Sequence, residues 1–292
     1  MKIQSECVPC LLKRILFEAE QCTDDPETTT RVIREACNML SDRYDPKRCS
    51  AAIATQVHKR AYELLDTLDP YNELKMQANT VALSLVPKVE ALIKKAQDPL
   101  KASMLCSIVG NMMDFGIEGA SNNPSLLSDI FDKMYVEGLG QDDTEQVKKL
   151  LKHASKVVLF TDNCGEIVFD KLFCRELKRF HPAMYLTLVV KGEPVLSDAT
   201  LEDAEALGFS EVVDDIMTTG CFAVGVDFKH LPQPVEKALK QADIILCKGM
   251  ANYESFSETP YRPIAYFMRT KCDVIASSMG LPRDISVVKL YS

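Results

Sequence analysis

The first 150 residues repeat their apolar positions at helical spacing, whereas the rest of the chain alternates short apolar runs with amphipathic segments. "CVPCLLKRILFEAEQC" sets Leu11, Leu12, Ile15, Leu16 and Ala19 on one side of a helix. "PETTTRVIREACNMLSDRY" opens on Pro26 and continues as Val32, Ile33, Ala36 and Leu40, predicting a second helix. "AAIATQVHKRAYELL" and "NTVALSLVPKVEALIKKA" keep the same period, and "PLKASMLCSIVGNMMDFG" predicts a further helix distorted near Gly110. There is no repeat of fixed period and no low-complexity linker. Residues 1–150 therefore predict a helical bundle domain.

The period changes after Lys149. "KVVLFTDN" reads as a buried strand followed by the helix "EIVFDKLFCRELKRF". "AMYLTLVVKG" is a second strand, and "DATLEDAEALG" a helix that ends at Gly208. "SEVVDD" predicts a short strand, "QPVEKALKQA" a helix and "DIILCKG" another strand, with "IAYFMRTKCDVIASSMG" supplying the last apolar stretches. Strands alternating with helices of this length define an α/β domain with a mostly parallel sheet over residues 151–292. Right-handed crossovers then bring the carboxyl ends of the strands to one edge, where open sheets hold their ligands.

The residues leaving each strand share a chemistry. Asp162, Asn163, Gly165 and Glu166 follow the first strand; Lys191 and Gly192, then Asp198 and Thr200, follow the second; Lys248, Gly249, Asn252 and Glu254 follow "DIILC". Each group taken alone also reads as a helix cap, Asp198 before "ATLEDA" above all. Their coincidence on one edge points instead to metal-assisted phosphoryl transfer. Asp162, Asn163 and Asp198 are hard oxygen donors suited to Mg²⁺ or Mn²⁺. Lys248 offers a point charge for a phosphate oxygen. Gly165 and Gly249 allow backbone amides to approach an anion at a helix start. Spacing leaves open whether the nucleophile is water or Asp162 itself.

Composition narrows the classes. A formal charge of −8 with no Lys/Arg-rich run argues against a nucleic-acid partner. No apolar stretch approaches the length of a membrane span, and charges interrupt the N-terminal segment before it could serve as a signal peptide, so a cytoplasmic protein is expected. Eleven cysteines fit a reducing compartment. Cys7 and Cys10 form the one recognisable pair, open to a structural role or to metal or redox chemistry; no second pair follows to complete a zinc site. His58, His153, His181 and His230 lie on or beside predicted helices, away from the polar loops. There is neither a nucleophile elbow nor a Walker loop, and "TDNCGE" lacks the dinucleotide-binding glycine turn.

"TDNCGEIVFD", "VKGEPVLSDATLEDA" and "CKGMANYE", in that order, resemble the damage-control phosphatases, formerly catalogued as a domain of unknown function. "DPYNELKMQAN" and "GNMMDFG" in the helical half also match, and "CVPC" is similar to the prokaryotic single-domain branch, so the resemblance runs over nearly the whole chain. It implies a three-layer α/β/α, Rossmann-like domain with a helical domain covering the active-site edge. It also implies divalent-metal-dependent hydrolysis of small phosphate monoesters such as sugar phosphates or damaged metabolites, with Mg²⁺, Mn²⁺, Co²⁺ or Ni²⁺ as the ion. Carried over by position, Asp162, Asn163 and Asp198 would hold the metal, and Lys248 would act with Asp162 in catalysis. Asn111, Asp114, Glu166, Lys191, Asn252 and Glu254 would contact substrate. Ser197 stands where the family commonly has Asn, which bears on a supporting hydrogen bond rather than the metal ligands, and Cys221 stands where a small polar residue is usual, in a loop that would shape the substrate pocket. Two other readings compete: an S-adenosylmethionine-dependent carboxyl methyltransferase, and a non-catalytic metal or redox module built on "CVPC".

Overall fold

The computed structural model describes residues 1–111 and 124–292. Five helices come first: α1 (Cys7–Cys22), α2 (Pro26–Arg43), α3 (Ser50–Leu65), α4 (Asn72–Lys95) and α5 (Pro99–Gly110). After α6 (Pro124–Glu137) come strand β1 (Leu139–Asp142), α7 (Thr144–Leu151), β2 (Lys156–Phe160), α8 (Glu166–Phe180), β3 (Tyr185–Val190) and α9 (Leu201–Ala206). The chain closes with β4 (Asp215–Thr218), α10 (Gln233–Gln241), β5 (Ile244–Lys248), α11 (Gly249–Phe256), β6 (Ile264–Arg269), α12 (Asp273–Met279) and β7 (Ser286–Tyr291).

Among the described residues the seven strands form one sheet in the order β1-β7-β6-β5-β2-β3-β4. Every neighbouring pair is parallel except β6 with β7. Successive strand residues point to opposite faces, and the two cores show it. Val157 and Leu159 of β2, Leu246 of β5 and Phe267 of β6 pack with α4, α5 and α8. Val158 and Phe160, Cys247, and Tyr266 face the other way, against α10, α11 and α12. The result is the three-layer α/β/α arrangement expected from the resemblance. α1, α2 and α3 enclose a smaller core of their own around Ile15, Val32, Ile53 and Val57. Tyr62 of α3 then docks on Phe222 and Val195, in the loops after β4 and β3, seating this bundle over the carboxyl end of the sheet.

Two elements differ from expectation. The stretch read as the strand "SEVVDD" is a 3₁₀ turn at Phe209–Glu211 followed by an irregular segment, and the strand starts at Asp215. Val213 is buried in the main core and Val212 packs against it because that turn docks there, so an apolar pair mimics a strand. The sheet also takes β1 from within the stretch that reads as helical.

β2 is followed in sequence by β3 and β4 on one side, and the chain returns to β5 on its other side. The strand order therefore reverses between β2 and β5, opening a crevice at their carboxyl ends.

Candidate active site

The segment after β2 turns sharply at Gly165, whose φ of +83° falls in the region that glycine tolerates. Gly165 itself is the N-cap of α8, with no side chain capping the helix. Its N–H donates to Asn79 Oδ1 of α4 at 2.7 Å. Asp162 and Asn163 are thus not caps. Nor is Asp198: Thr200 caps α9 in a capping box with Asp203, whose carboxylate accepts the Thr200 N–H at 2.9 Å.

Backbone hydrogen bonds bind the two loops together. The Ala199 N–H donates to the Asp162 carbonyl and the Cys164 N–H to the Ser197 carbonyl, both at 2.8 Å, across an antiparallel bridge between Asn163 and Asp198. This pairing brings Asp162, Asn163 and Asp198, distant in sequence, onto the wall of one cavity of about 220 Å³. Ser197 Oγ donates to Asn163 Oδ1 at 2.7 Å, and the Asn163 amide donates to Asp162 Oδ2 at 3.0 Å. Asn111, at the end of α5, donates to the same Asp162 oxygen at 2.9 Å and to Glu166 Oε2 at 2.5 Å. Lys191 Nζ lies 3.2 Å from Asp198 Oδ2 and also donates to the Gly225 carbonyl. Gly249, with φ +74°, sits against Asp162: a Cβ there would fall 1.9 Å from Asp162 Oδ2.

Burial, together with the nearby Asp198 and Glu166 carboxylates, pushes Asp162 well above the ordinary carboxylate range, against the pull of Lys191 and Asn111. The wall thus concentrates negative charge in a desolvated place.

Lys248 lies elsewhere. It is fully buried, and its ammonium donates to Glu166 and to Asp170 Oδ1, the latter at 2.7 Å, with the Ser107 carbonyl at 3.3 Å. Ser107 Oγ donates to Asp170 Oδ1 at 2.6 Å. Burial opposes the Lys248 charge, but Asp170 and Glu166 outweigh it and hold the ammonium above its ordinary range. One lysine cannot neutralise two carboxylates. Burial, aided by Asp170 and opposed by Lys248, raises Glu166 to about 7. Lys248 is not among the cavity-lining residues; it sits in an ionic layer beneath the floor, so direct contact with a phosphate is not what this geometry offers.

The other expected contacts divide in the same way. Asn111 and Glu254 line the cavity. Glu166 and Lys191 are buried behind it. Asn252 is buried and spends its amide on the Thr161 and Lys248 carbonyls, at 2.8 and 2.7 Å, holding β2 to α11. Asp114 lies outside the described residues.

Sequence reading overlooked several cavity residues. Lys271 follows β6, and its ammonium donates to the Asn111 carbonyl at 2.6 Å; it obeys the strand-end rule that singled out its neighbours. Arg14 of α1 and His58 of α3 also line the cavity, although His58 had read as remote, and so does Cys10, which the sequence singles out without linking it to this site. His58 is held by Glu18, with Nδ1 3.0 Å from Oε2. Nothing local distinguishes Arg14 from a charge on the solvent face of an amphipathic helix.

The fold is that of a known family. The signature of the damage-control phosphatase ARMT1-like domain matches residues 3–287, and the chain belongs to that family. It is 39% identical over 290 residues to a damage-control phosphatase of Archaeoglobus fulgidus, covering 99% of both chains. It is 28% identical to damage-control phosphatase PH1575 of Pyrococcus horikoshii, covering 98% of this chain and 97% of that one. The crystal structure of the DUF89 family protein PH1575 superposes over 100% of both chains with a TM-score of 0.91 at 25% identity.

Proposed function

We propose that this protein is a divalent-metal-dependent phosphatase acting on small phosphate monoesters, either sugar phosphates or damaged phosphometabolites. The observation that carries the reading is the convergence of Asp162, Asn163 and Asp198 on one cavity wall, with the Asp162 carboxylate crowded by other carboxylates. Two carboxylates and an amide oxygen are a hard donor set, and the excess buried negative charge fits a cation there. Asp162, Asn163 and Asp198 would hold Mg²⁺, Mn²⁺, Co²⁺ or Ni²⁺. When bound, such an ion would polarise the phosphoryl group and lower the pKa of a water.

The chain's own residues have distinct tasks. Ser197 fixes the Asn163 amide so that Oδ1 keeps one orientation, and Asn111 and Asn163 hold the Asp162 carboxylate from one side. Lys271 and Arg14 bring positive charge to the cavity wall, suited to the non-bridging oxygens of a phosphate. Glu254, whose carboxylate accepts a hydrogen bond from Ser50, is placed to receive a substrate hydroxyl. Lys248 keeps α8 and the floor in register from below. The cavity is smaller than the roughly 300–1,000 Å³ common for drug-sized ligands, which favours a small metabolite. The relatives' names support the phosphatase reading and lend none to the carboxyl methyltransferase.

The test is hydrolysis of a simple aryl phosphate by chelator-stripped protein with each of the four ions restored in turn. Turnover should be absent without metal and absent in Asp162→Ala with metal. Turnover that survives both treatments overturns the reading. Stereochemistry at a chirally labelled phosphate separates the two nucleophiles: inversion indicates one direct displacement by water, and retention indicates two displacements through a phospho-Asp162 intermediate, which an acid quench would trap.

A further inference from the structure

The "CVPC" pair has no part in the chemistry above, yet the fold does not leave it on a remote surface. Cys7 is the first residue of α1 and Cys10 lies one turn further on; both line the cavity with Leu11 and Arg14, on one face of the helix. A third thiol reaches the same cavity from the other end of the chain. Cys272, the N-cap of α12, lines it beside Lys271, whose ammonium is bonded to Asn111. Cys106, Cys164, Cys174 and Cys247 are buried core residues, whereas Cys7, Cys10 and Cys272 keep access to the cavity, and all are reduced.

We propose that these three cysteines form a thiol–disulfide modification site that takes low-molecular-weight disulfides and links the first turn of α1 to the N-terminus of α12. Cys7 and Cys10, one turn apart at the start of α1, could also close on each other, as Cys-x-x-Cys pairs at helix starts do, but such a bridge stays within one helix. A link to Cys272 leaves α1 helical and joins two walls of one cavity.

The chemistry balances with a small disulfide as oxidant. One "CVPC" thiolate attacks a sulfur of the small disulfide, forming a mixed disulfide and expelling one small thiolate. The Cys272 thiolate then attacks the protein sulfur of the mixed disulfide and expels the second. Two cysteine thiols give up two protons and two electrons, and the oxidant becomes two thiols. Burial raises the Cys7 and Cys10 thiols above their ordinary range, with Arg14 opposing it at Cys10, so the thiolate is scarce. That suits a site responding to a sustained oxidising excess rather than a dithiol turning over in catalysis.

The link would pin α1 to the segment carrying Lys271, and its effect on turnover rests on the function proposed above; the modification itself does not. The experiment treats the full-length reduced protein with oxidised glutathione and maps linked peptides by mass spectrometry. The expected product joins the peptide of Cys7 and Cys10 to that of Cys272, reverts with dithiothreitol, vanishes in Cys272→Ser and persists in Cys37→Ser, whose sulfur is exposed on α2. Turnover of an aryl phosphate should be mostly lost on linkage and return on reduction. A map showing only a Cys7–Cys10 bridge, or glutathione scattered over the exposed cysteines with no cross-link, overturns the proposal. Because the readout is the linkage map, an absence of phosphatase activity would leave this result unaffected.

Discussion

Two carboxylate clusters lie one above the other at the start of α8, and they have been built in opposite ways. In the lower one Glu166 and Asp170 share the ammonium of Lys248 and the hydroxyl of Ser107, all sealed from water. In the upper one Asp162 and Asp198 face a cavity, with amides as their near donors and Lys191 reaching Asp198 from behind. A buried carboxylate is tolerable only when paired and hydrogen-bonded. The lower cluster nearly meets that condition and acts as structure. The upper one crowds its carboxylates on a cavity wall, which on the proposed function is where a cation would sit. Asn111 joins them, donating to one carboxylate of each.

The contrast is broken most decisively by exchanging the roles. On the proposed function, Asp162→Ala should lower aryl-phosphate turnover by about 10³-fold, the scale seen when a principal electrostatic group is removed. Its urea midpoint should stay level or rise, because a crowded buried charge has gone. A large loss of stability in that variant would mean that the upper cluster is structural too.

Lys248→Met should do the reverse. It leaves Glu166 and Asp170 buried without their cation, and breaking such a pair costs about 3–5 kcal/mol. Denaturant unfolding reads this directly, and adding Glu166→Gln and Asp170→Asn to the same chain should recover much of the loss. If the single variant unfolds like the parent, the ionic layer is not supporting α8.

Metal and pH sharpen the comparison next. Asp162 and Glu166 both titrate higher in the folded chain than in the unfolded one, Glu166 at about 7. A raised carboxyl contributes stability that is fully present below its unfolded pKa, about 4.3 for a glutamate, and is lost as pH rises through the folded value. Metal-free protein should therefore lose stability between about pH 4.3 and 7 from Glu166, and Asp162 adds to the loss in the same direction. Asp98, Asp142 and Asp214, whose partners hold them low, contribute with the opposite sign in a more acidic window. An ion binding at Asp162 must displace protons, so Mn²⁺ at about 100 times its Kd should add about 2.7 kcal/mol at neutral pH and distinctly less at pH 5. Thermal melts with and without Mn²⁺ at both pH values measure this; equal shifts at the two would place the ion away from Asp162.

The smallest effect concerns orientation. Ser197→Ala removes the 2.7 Å hydrogen bond to Asn163 Oδ1, and loss of a supporting contact of this kind weakens metal affinity by about 10–100-fold. Titration of the ion against turnover should show that shift with saturated activity largely kept.

Much of the candidate site is legible in the sequence alone. α1 and α8 begin and end at the residues their periodicity marks, because a strong amphipathic period survives tertiary packing. Asp162, Asn163, Asp198 and Lys248 stood out because strand ends in a parallel sheet share an edge. Lys248 shares that edge but lies under the cavity floor, since a strand-end position gives the edge but not the direction in which the side chain turns. Asp170 and Ser107 were overlooked, being ordinary polar residues within helices. β1 was overlooked as well: "LGQD" carries no apolar alternation and is a strand only because β7 lies beside it.

By itself, then, the sequence determined the alternation of strands and helices, the helical first half, and the edge on which the polar residues gather. These follow from local period and from the handedness of crossovers, which need no knowledge of distant neighbours. Only the tertiary structure decided that Asn163 and Asp198 pair across two loops, that Lys248 neutralises Glu166 and Asp170 below the floor, and that Cys7, Cys10, Arg14 and Lys271 meet on one cavity. Such contacts join residues from distant parts of the chain, and their energies depend on burial and partner, two quantities that exist only once the chain has folded.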